Sequence, residues 1–292
     1  MQCEDIEGDL QLPKHKQTDF QVLTFIIGLC FFCALILAVV AYSLSSAQEA
    51  AKVFDQSKQM LIATRILNHQ GFLEGEDEKA NEEQIKAVAA ARIRPLLTDS
   101  KGAIYTLDEK NISLEKYLSD NQKKGYANLE LKLFYAILPA DKEESAEQIA
   151  KDPQLAQYFV IPVSGFGLWA PIYGYIAIEP NGDSVVGTTW YDMGETPGLG
   201  ANITESWWQD QFEGKLLFHV TADGKTDFQT ADIGIIVVKG KVQNVYGSSP
   251  KGKNAVDGIS GATLTGDGVS AAYKDSLTPY RAFLIKLHEE KK

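Results

Sequence analysis

Residues 257–265 read Asp-Gly-Ile-Ser-Gly-Ala-Thr-Leu-Thr and lead through Gly266-Asp267-Gly268-Val269 into a helical pattern. These small residues deliver hydroxyls and free backbone N–H groups to the start of a helix. Such a turn suits a phosphoryl group, because the first-turn donors are unpaired and the helix dipole favours an anion there. The competing reading is a flexible turn whose Ser and Thr side chains merely cap the helix. A second stretch, Gly194-Glu195-Thr196-Pro197-Gly198-Leu199-Gly200, combines glycines that permit positive φ and close backbone approach to a planar ligand with two hydrogen-bonding side chains, Glu195 and Thr196. Its plainer reading is a Pro-Gly turn entering a helix at Thr204–Phe212. The third stretch is Ser164-Gly165-Phe166-Gly167-Leu168-Trp169. Trp169 can exclude water and pack on an aromatic ring, or serve as a core aromatic. No G-x-G-x-x-G opens a helix here, so the stretch is not a Rossmann fingerprint.

Composition removes other chemistries. The chain has 292 residues with 28 Lys+Arg against 39 Asp+Glu, a formal net charge of −11. With no Lys/Arg-rich run, it lacks the clustered positive field that nucleic acid requires. Its three cysteines, Cys3, Cys30 and Cys33, all precede the bulk of the chain, which therefore has no thiol for a disulfide, a Cys-ligated zinc or an iron–sulfur cluster. The four histidines, His15, His69, His219 and His288, are isolated, so no metal site is expected. Redox chemistry would need a bound cofactor.

The elements that must position these residues begin with a membrane segment. No charged residue occurs from Phe20 to Gln48, and Val22 to Leu44 is apolar enough to cross a bilayer core of about 30 Å. An uncleaved anchor over residues 20–46 is expected, since the apolar run exceeds a signal peptide's core. The Cys30-x-x-Cys33 pair inside it reads as two small apolar residues. Lysines on both sides leave its orientation undecided by charge.

Helical spacing is expected over Gln48–His69 and Glu82–Ile93, the second ended by Pro95. Leu129–Leu138 is a candidate strand, and residues 98–155 are assigned no chemistry. Beyond Tyr158, strands are expected at Phe159–Val163, Tyr173–Glu179, Ser184–Tyr191, Lys215–Ala222 and Ile233–Lys239, with helices at Thr204–Phe212 and from Leu264 onward. The fold class is α+β: one N-terminal transmembrane helix, then a mainly antiparallel or mixed sheet with flanking helices. The expected organisation is a tail at 1–19, the anchor at 20–46, a helical or mixed region at 47–157 and a cofactor-binding domain at 158–292.

The three stretches together resemble the FMN-binding domain family. D-G-I-S-G-A-T is similar to that family's flavinylation motif, in which a flavin transferase esterifies FMN phosphate to the final threonine. Matched residue by residue, the resemblance implies Thr263 as the phosphothreonyl acceptor, with Asp257, Ser260, Gly261, Ala262 and Leu264 around it. Thr265 would be a phosphate contact or helix cap. G-E-T-P-G-L-G is a second hallmark, implying that Glu195, Thr196, Gly198, Leu199 and Gly200 line the flavin; the G-x-G-L-W segment adds Trp169.

With its anchor, the chain resembles flavin-bearing subunits of Na+-translocating NADH:quinone oxidoreductases. The alternatives are the G subunit of Rnf electron-transport complexes, or an anchored binding or sensor module without redox turnover. The resemblance covers the anchor and most of residues 158–290 and is weak over 70–157. It implies covalent FMN and no catalytic residue of the chain's own. It also implies an electron relay from an iron–sulfur centre to another subunit's flavin, within a complex that oxidises NADH, reduces ubiquinone and moves Na+. Implied partners are the other subunits (A, B, D, E and F), an FAD-dependent flavin transferase and membrane lipid. The implied location is the bacterial inner membrane, single-pass, with the C-terminal domain periplasmic.

Overall fold

The computed structural model describes residues 19–121 and 125–290; the expected tail, with Cys3 and His15, lies almost wholly outside them. Contacts divide the chain between Val53 and Phe54. The first unit is the leading part of helix α1 (Asp19–Ala63, 45 residues), which is long and apolar enough to cross a membrane. Phe25, Phe31, Leu37 and Tyr42 are all exposed along it. Its hydroxyls bond to the helix's own carbonyls, Thr24 to Phe20 at 2.8 Å and Ser43 to Val40 at 2.9 Å, so these polar groups are paired where the helix would face lipid. Cys30 and Cys33 are free and exposed on the same helix.

The second unit starts with the last turns of α1 and continues through α2 (Glu82–Arg92), β1 (Ile93–Thr98), β2 (Ile104–Tyr105), α3 (Leu114–Asn121), β3 (Lys132–Ile137) and α4 (Ala146–Lys151). Then come β4 (Tyr158–Phe166), β5 (Pro171–Ile178), β6 (Val185–Asp192), α5 (Ser206–Gln209), β7 (Ile236–Val237), α6 (Val242–Tyr246), β8 (Ala255–Val256), α7 (Thr263–Leu277) and α8 (Arg281–Glu290). Six strands form one antiparallel sheet in the order β2-β1-β3-β4-β5-β6, and β7 pairs with β8 in parallel. Alternation along the strands gives the sheet two buried faces. Phe134, Ala136, Phe159, Ile161 and Ile176 face a core shared with Val269, Tyr273, Phe283 and Leu287 of α7 and α8. Leu133, Tyr135, Val160 and Tyr175 face the other core, with Met60, Leu61, Ile85 and Ala89 of α1 and α2.

Four expectations need correction. Pro95 does not end a helix in a loop; it lies inside β1, opposite Tyr135 and beyond the reach of β2, where a missing N–H is tolerated. Strands β1 and β3 therefore extend the sheet into residues 93–137, ahead of the boundary expected at residue 158. Lys215–Ala222 and Ile233–Lys239 are largely apolar and buried, yet neither adds a strand to the six-stranded sheet: isolated bridges pair Leu216 with Ser184 and Phe218 with Ile233, and only the short β7 pairs with β8. Buried side chains replace the missing ladder: Asp183 accepts from the Phe218 N–H at 2.8 Å, and Asn254 accepts from Val220 at 2.9 Å while donating to the carbonyls of Leu216 and Phe218. The helix expected at Thr204–Phe212 is broken into α5 with a 3₁₀ turn on each side, Gly200–Thr204 and Asp210–Phe212.

Helix α7 lies on β4 with almost no side-chain thickness between them. A Cβ on Gly165 would overlap Ala272, and one on Gly268 would overlap the Phe166 carbonyl. One helical turn further along, Ser276 and Ser164 exchange hydrogen bonds, hydroxyl to carbonyl and N–H to hydroxyl, both 3.0 Å. Gly268, Ala272 and Ser276 recur every four residues, so one stripe of α7 is fitted to the strand. Ala272→Leu is expected to cost about 1–3 kcal/mol by overpacking this stripe. The urea midpoint should fall with an unchanged m value.

Candidate functional site

All three chemistry-bearing stretches meet at one end of the sheet. β4 and β5 pair from Phe166↔Pro171, so the Gly167–Ala170 turn sits at that edge, closed by a Gly167 N–H to Ala170 carbonyl bond of 2.9 Å. Tyr173 pairs with Asp192, which places the loop after β6, carrying 194–200, at the same end. The contact of α7 with β4 brings the helix's first residue there as well.

Glu195 binds the three loops together and is only 6% exposed. Its Oε2 accepts the Thr265 hydroxyl at 2.6 Å, and its Oε1 accepts the Trp169 N–H at 3.0 Å. Burial pushes its pKa up, but hydrogen bonds from Thr265 and from the N–H groups of Trp169, Leu168 and Ala170 more than offset this and hold it below its ordinary value. Two glycines make room for the carboxylate. A Cβ on Gly200 would come within 2.6 Å of both Glu195 Oε2 and Thr265 Oγ1, and one on Gly167 would overlap the carboxylate itself. Glu195, expected to hydrogen-bond the flavin, and Thr265, expected as a phosphate contact or helix cap, point inward at each other, and Thr265 is 1% exposed.

Thr263 is the first residue of α7, and it is exposed. Ala262 is the N-cap and supplies no side-chain bond; the helical ladder begins with the Gly266 N–H to Ala262 carbonyl at 2.9 Å. The capping role considered for the serine and threonines is thus not realised, and the first-turn N–H groups stay open beside the Thr263 hydroxyl, which makes no hydrogen bond among the described residues. Gly261, with φ +77°, lets the turn come against Leu199, whose Cδ2 lies 2.9 Å from where a Cβ would stand. Ser260 is exposed on the same turn and Ala262 is buried.

In the 194–200 loop the Thr196 carbonyl accepts the N–H groups of Leu199 and Ala201, both at 3.1 Å, and Gly198 takes φ +77°. Around the turn, large apolar side chains face solvent: Trp169 is 66% exposed, Leu264 59% and Leu199 42%, with Phe166 and Leu168 beside Trp169 in sequence. Trp169 is therefore not a core residue.

Asp257 is placed differently from the expectation that it binds cofactor. Its Oδ1 accepts the Val242 N–H at 2.8 Å, and Oδ2 lies 3.8 Å from Lys241 Nζ. Two side chains that sequence reasoning passed over grip its backbone: Trp208 Nε1 donates to the Asp257 carbonyl and Gln211 Oε1 accepts its N–H, each at 2.9 Å. Their spacing of three, on one face of a short helical segment, was the available signal.

The residues present fit FMN. An open hydroxyl at an uncapped helix N-terminus suits a phosphoester, and exposed apolar surface with positive-φ backbone suits a planar ring. A cleft of about 620 Å³ elsewhere, lined in part by Asp108, Glu143, Glu144 and Glu147, shares no residue with the site and is too acidic for a phosphate. Among the described residues no group of three or more His, Cys, Asp or Glu could hold a metal ion.

Comparison with known proteins agrees with this arrangement. The FMN-binding domain family matches residues 167–278, which include Trp169, the 194–200 loop and the acceptor turn. The C subunit of the Na+-translocating NADH-quinone reductase of Chlamydia caviae is 41% identical over 300 aligned positions, covering 94% of each chain. Its counterpart from Vibrio alginolyticus is 29% identical over 262, covering 87% of this chain and 88% of that protein. Crystal structures of the C subunit from Parabacteroides distasonis and of NqrC from Shewanella oneidensis share the fold, each with a TM-score of 0.55 at 24% identity over 82% of this chain, and over 96% and 99% of theirs. An extended match at 41% identity decides the relationship, and the chain belongs to the family of C subunits of the Na+-translocating NADH-quinone reductase.

Proposed function

We propose that this chain is the FMN-carrying electron-relay subunit of a Na+-translocating NADH:quinone oxidoreductase, with FMN esterified through its phosphate to Thr263. The observation that carries the reading is the Thr263 hydroxyl itself: exposed, without a hydrogen-bond partner among the described residues, and at the uncapped start of a 15-residue helix. A diester there retains one negative charge, which the first-turn N–H groups and helix dipole favour by about 0.3–1 kcal/mol. Bound FMN supplies one- and two-electron redox chemistry that no side chain here can.

This chain's residues hold and shield. Trp169, Leu199 and Leu264 offer apolar surface for the ring, and Thr196 and the 198–200 backbone lie beside it. Glu195 and Thr265 hold the loops in register from beneath. Attachment by the phosphate leaves the isoalloxazine unmodified and makes its binding intramolecular, which keeps the cofactor at high effective concentration outside the cytoplasm. Helix α1 anchors the chain in the bacterial inner membrane as a single span with the flavin domain periplasmic. The partners are the remaining subunits, A, B, D, E and F, and for maturation an FAD-dependent flavin transferase. Held here, FMN would supply redox chemistry between an iron–sulfur centre and a flavin of another subunit.

The test is expression of the full chain with the transferase. The purified protein should be yellow, bleached by dithionite and still coloured after acid precipitation. Trypsin should release the peptide Asn254–Lys274 bearing one FMN. A colourless protein giving this peptide at its bare mass overturns the reading.

A further inference from the structure

The acceptor turn is held on one side by α7, which starts at Thr263. On the other side it is continuous with Asp257, and both backbone polar groups of Asp257 are taken by side chains from residues 208–211. The Trp208 indole N–H donates to its carbonyl and the Gln211 amide oxygen accepts its N–H, each at 2.9 Å. Trp208 is fully buried, its ring 5.0 Å from Phe212, whose ring lies 5.5 Å from Tyr273 of α7. The Asp257 carboxylate passes the constraint on to the Val242 N–H at 2.8 Å. Residues 206–212 follow the 194–200 loop closely in sequence, and Gln209 ties them back to the Ile203 carbonyl at 3.0 Å. One short segment therefore links the loop that faces the ring to the turn that bears the phosphate.

We propose that Trp208 and Gln211 are positioning residues for the flavin: they set the phase of the 257–263 turn, and hence where the ring sits against Trp169 and Leu199. The proposal rests on covalent FMN at Thr263. Neither side chain touches the acceptor hydroxyl, so both act through the backbone of Asp257. Without the indole N–H or the amide oxygen, the turn keeps its sequence, its acceptor and the Gly258 N–H bond to the Gly240 carbonyl at 2.8 Å, but Asp257 loses part of what fixes its register. The ester still forms, and the ring it carries becomes mobile.

The test uses the full flavinylated chain with Trp208→Phe, which keeps the aromatic packing, and Gln211→Leu, which removes only a half-buried acceptor. Gln211→Glu restores an oxygen to the Asp257 N–H. Three quantities are read for each: the yield of FMN-bearing peptide, the fluorescence anisotropy and visible circular dichroism of the native flavin, and its midpoint potential. Trp208→Phe and Gln211→Leu are expected to keep the wild-type yield while anisotropy falls, the visible dichroism weakens and the potential moves toward that of free FMN. Gln211→Glu should recover most of the wild-type signal. Variants that lose thermal stability but keep the wild-type dichroism and potential would show a purely structural role and overturn the proposal. Should wild-type chain itself lack FMN on Asn254–Lys274, the failure belongs to the acceptor assignment instead.

Discussion

Thr263→Ala is expected to give a folded, colourless chain. Fluorescence of the denatured band in a gel should drop to background, a complete loss, because under the proposed ester no neighbouring hydroxyl is placed to replace Thr263. Thr265, two residues on, is 1% exposed and donates to Glu195 at 2.6 Å, so it cannot reach a transferase without local unfolding. Ser260 is exposed but precedes the helix and lacks its first-turn donors. Stability should change by less than about 0.5 kcal/mol, the usual range for an exposed residue without partners. Thr263→Ser, which keeps a hydroxyl at the same place, should restore fluorescence at least in part. Undiminished fluorescence in Thr263→Ala would sink the assignment.

The second large effect concerns Glu195. Its truncation to alanine strands the Thr265 hydroxyl and the N–H groups that converge on it, and opens a void between Gly167 and Gly200. Hydrogen bonds to a charged group contribute about 1.5–3 kcal/mol each, so a loss of roughly 3 kcal/mol or more is expected in urea unfolding. Glu195→Gln keeps the shape and one acceptor but presents an NH₂ to a donor, and should cost about half as much. The pH dependence separates the two causes. The folded-state pKa of Glu195 lies below its unfolded value of about 4.3, so its stabilisation is fully present above that value and fades as the pH falls through the lowered one. Between pH 7 and pH 3 the wild type should lose more stability than Glu195→Gln. Parallel curves would mean that the carboxylate's charge contributes nothing to the brace.

The long apolar helix, the α+β class and strands β3 to β6 could be read from the sequence because their signals are local: an uninterrupted apolar run, and apolar residues bounded by Gly and Pro. The 257–265 turn at the start of α7 was legible for the same reason. Relationships between distant residues were not. Glu195 reads as a solvated or ligand-binding carboxylate until Thr265, 70 positions away, is seen to donate to it. Asp257 reads as part of a phosphate site, and only the fold shows it occupied by Val242, Trp208 and Gln211. Lys215–Ala222 has every local mark of a strand, but the Asp183 and Asn254 side chains take the N–H groups of Phe218 and Val220, and separate backbone stretches take those of the residues around them. In each case a side chain finds a partner far away in the sequence, and local pattern alone does not reveal such pairing.

The stripe of Gly268, Ala272 and Ser276 on β4 has a consequence for electron transfer. Electron exchange weakens steeply as donor and acceptor draw apart, so small changes in separation alter the rate. Long, many-rotamer side chains between a helix and the strand beneath it would blur that spacing with thermal motion. Here the main chains of α7 and β4 nearly touch, and the helix proposed to carry the flavin has little play perpendicular to the sheet. The small side chains at this seam serve as a spacer of fixed thickness, one that a single added methylene would reset.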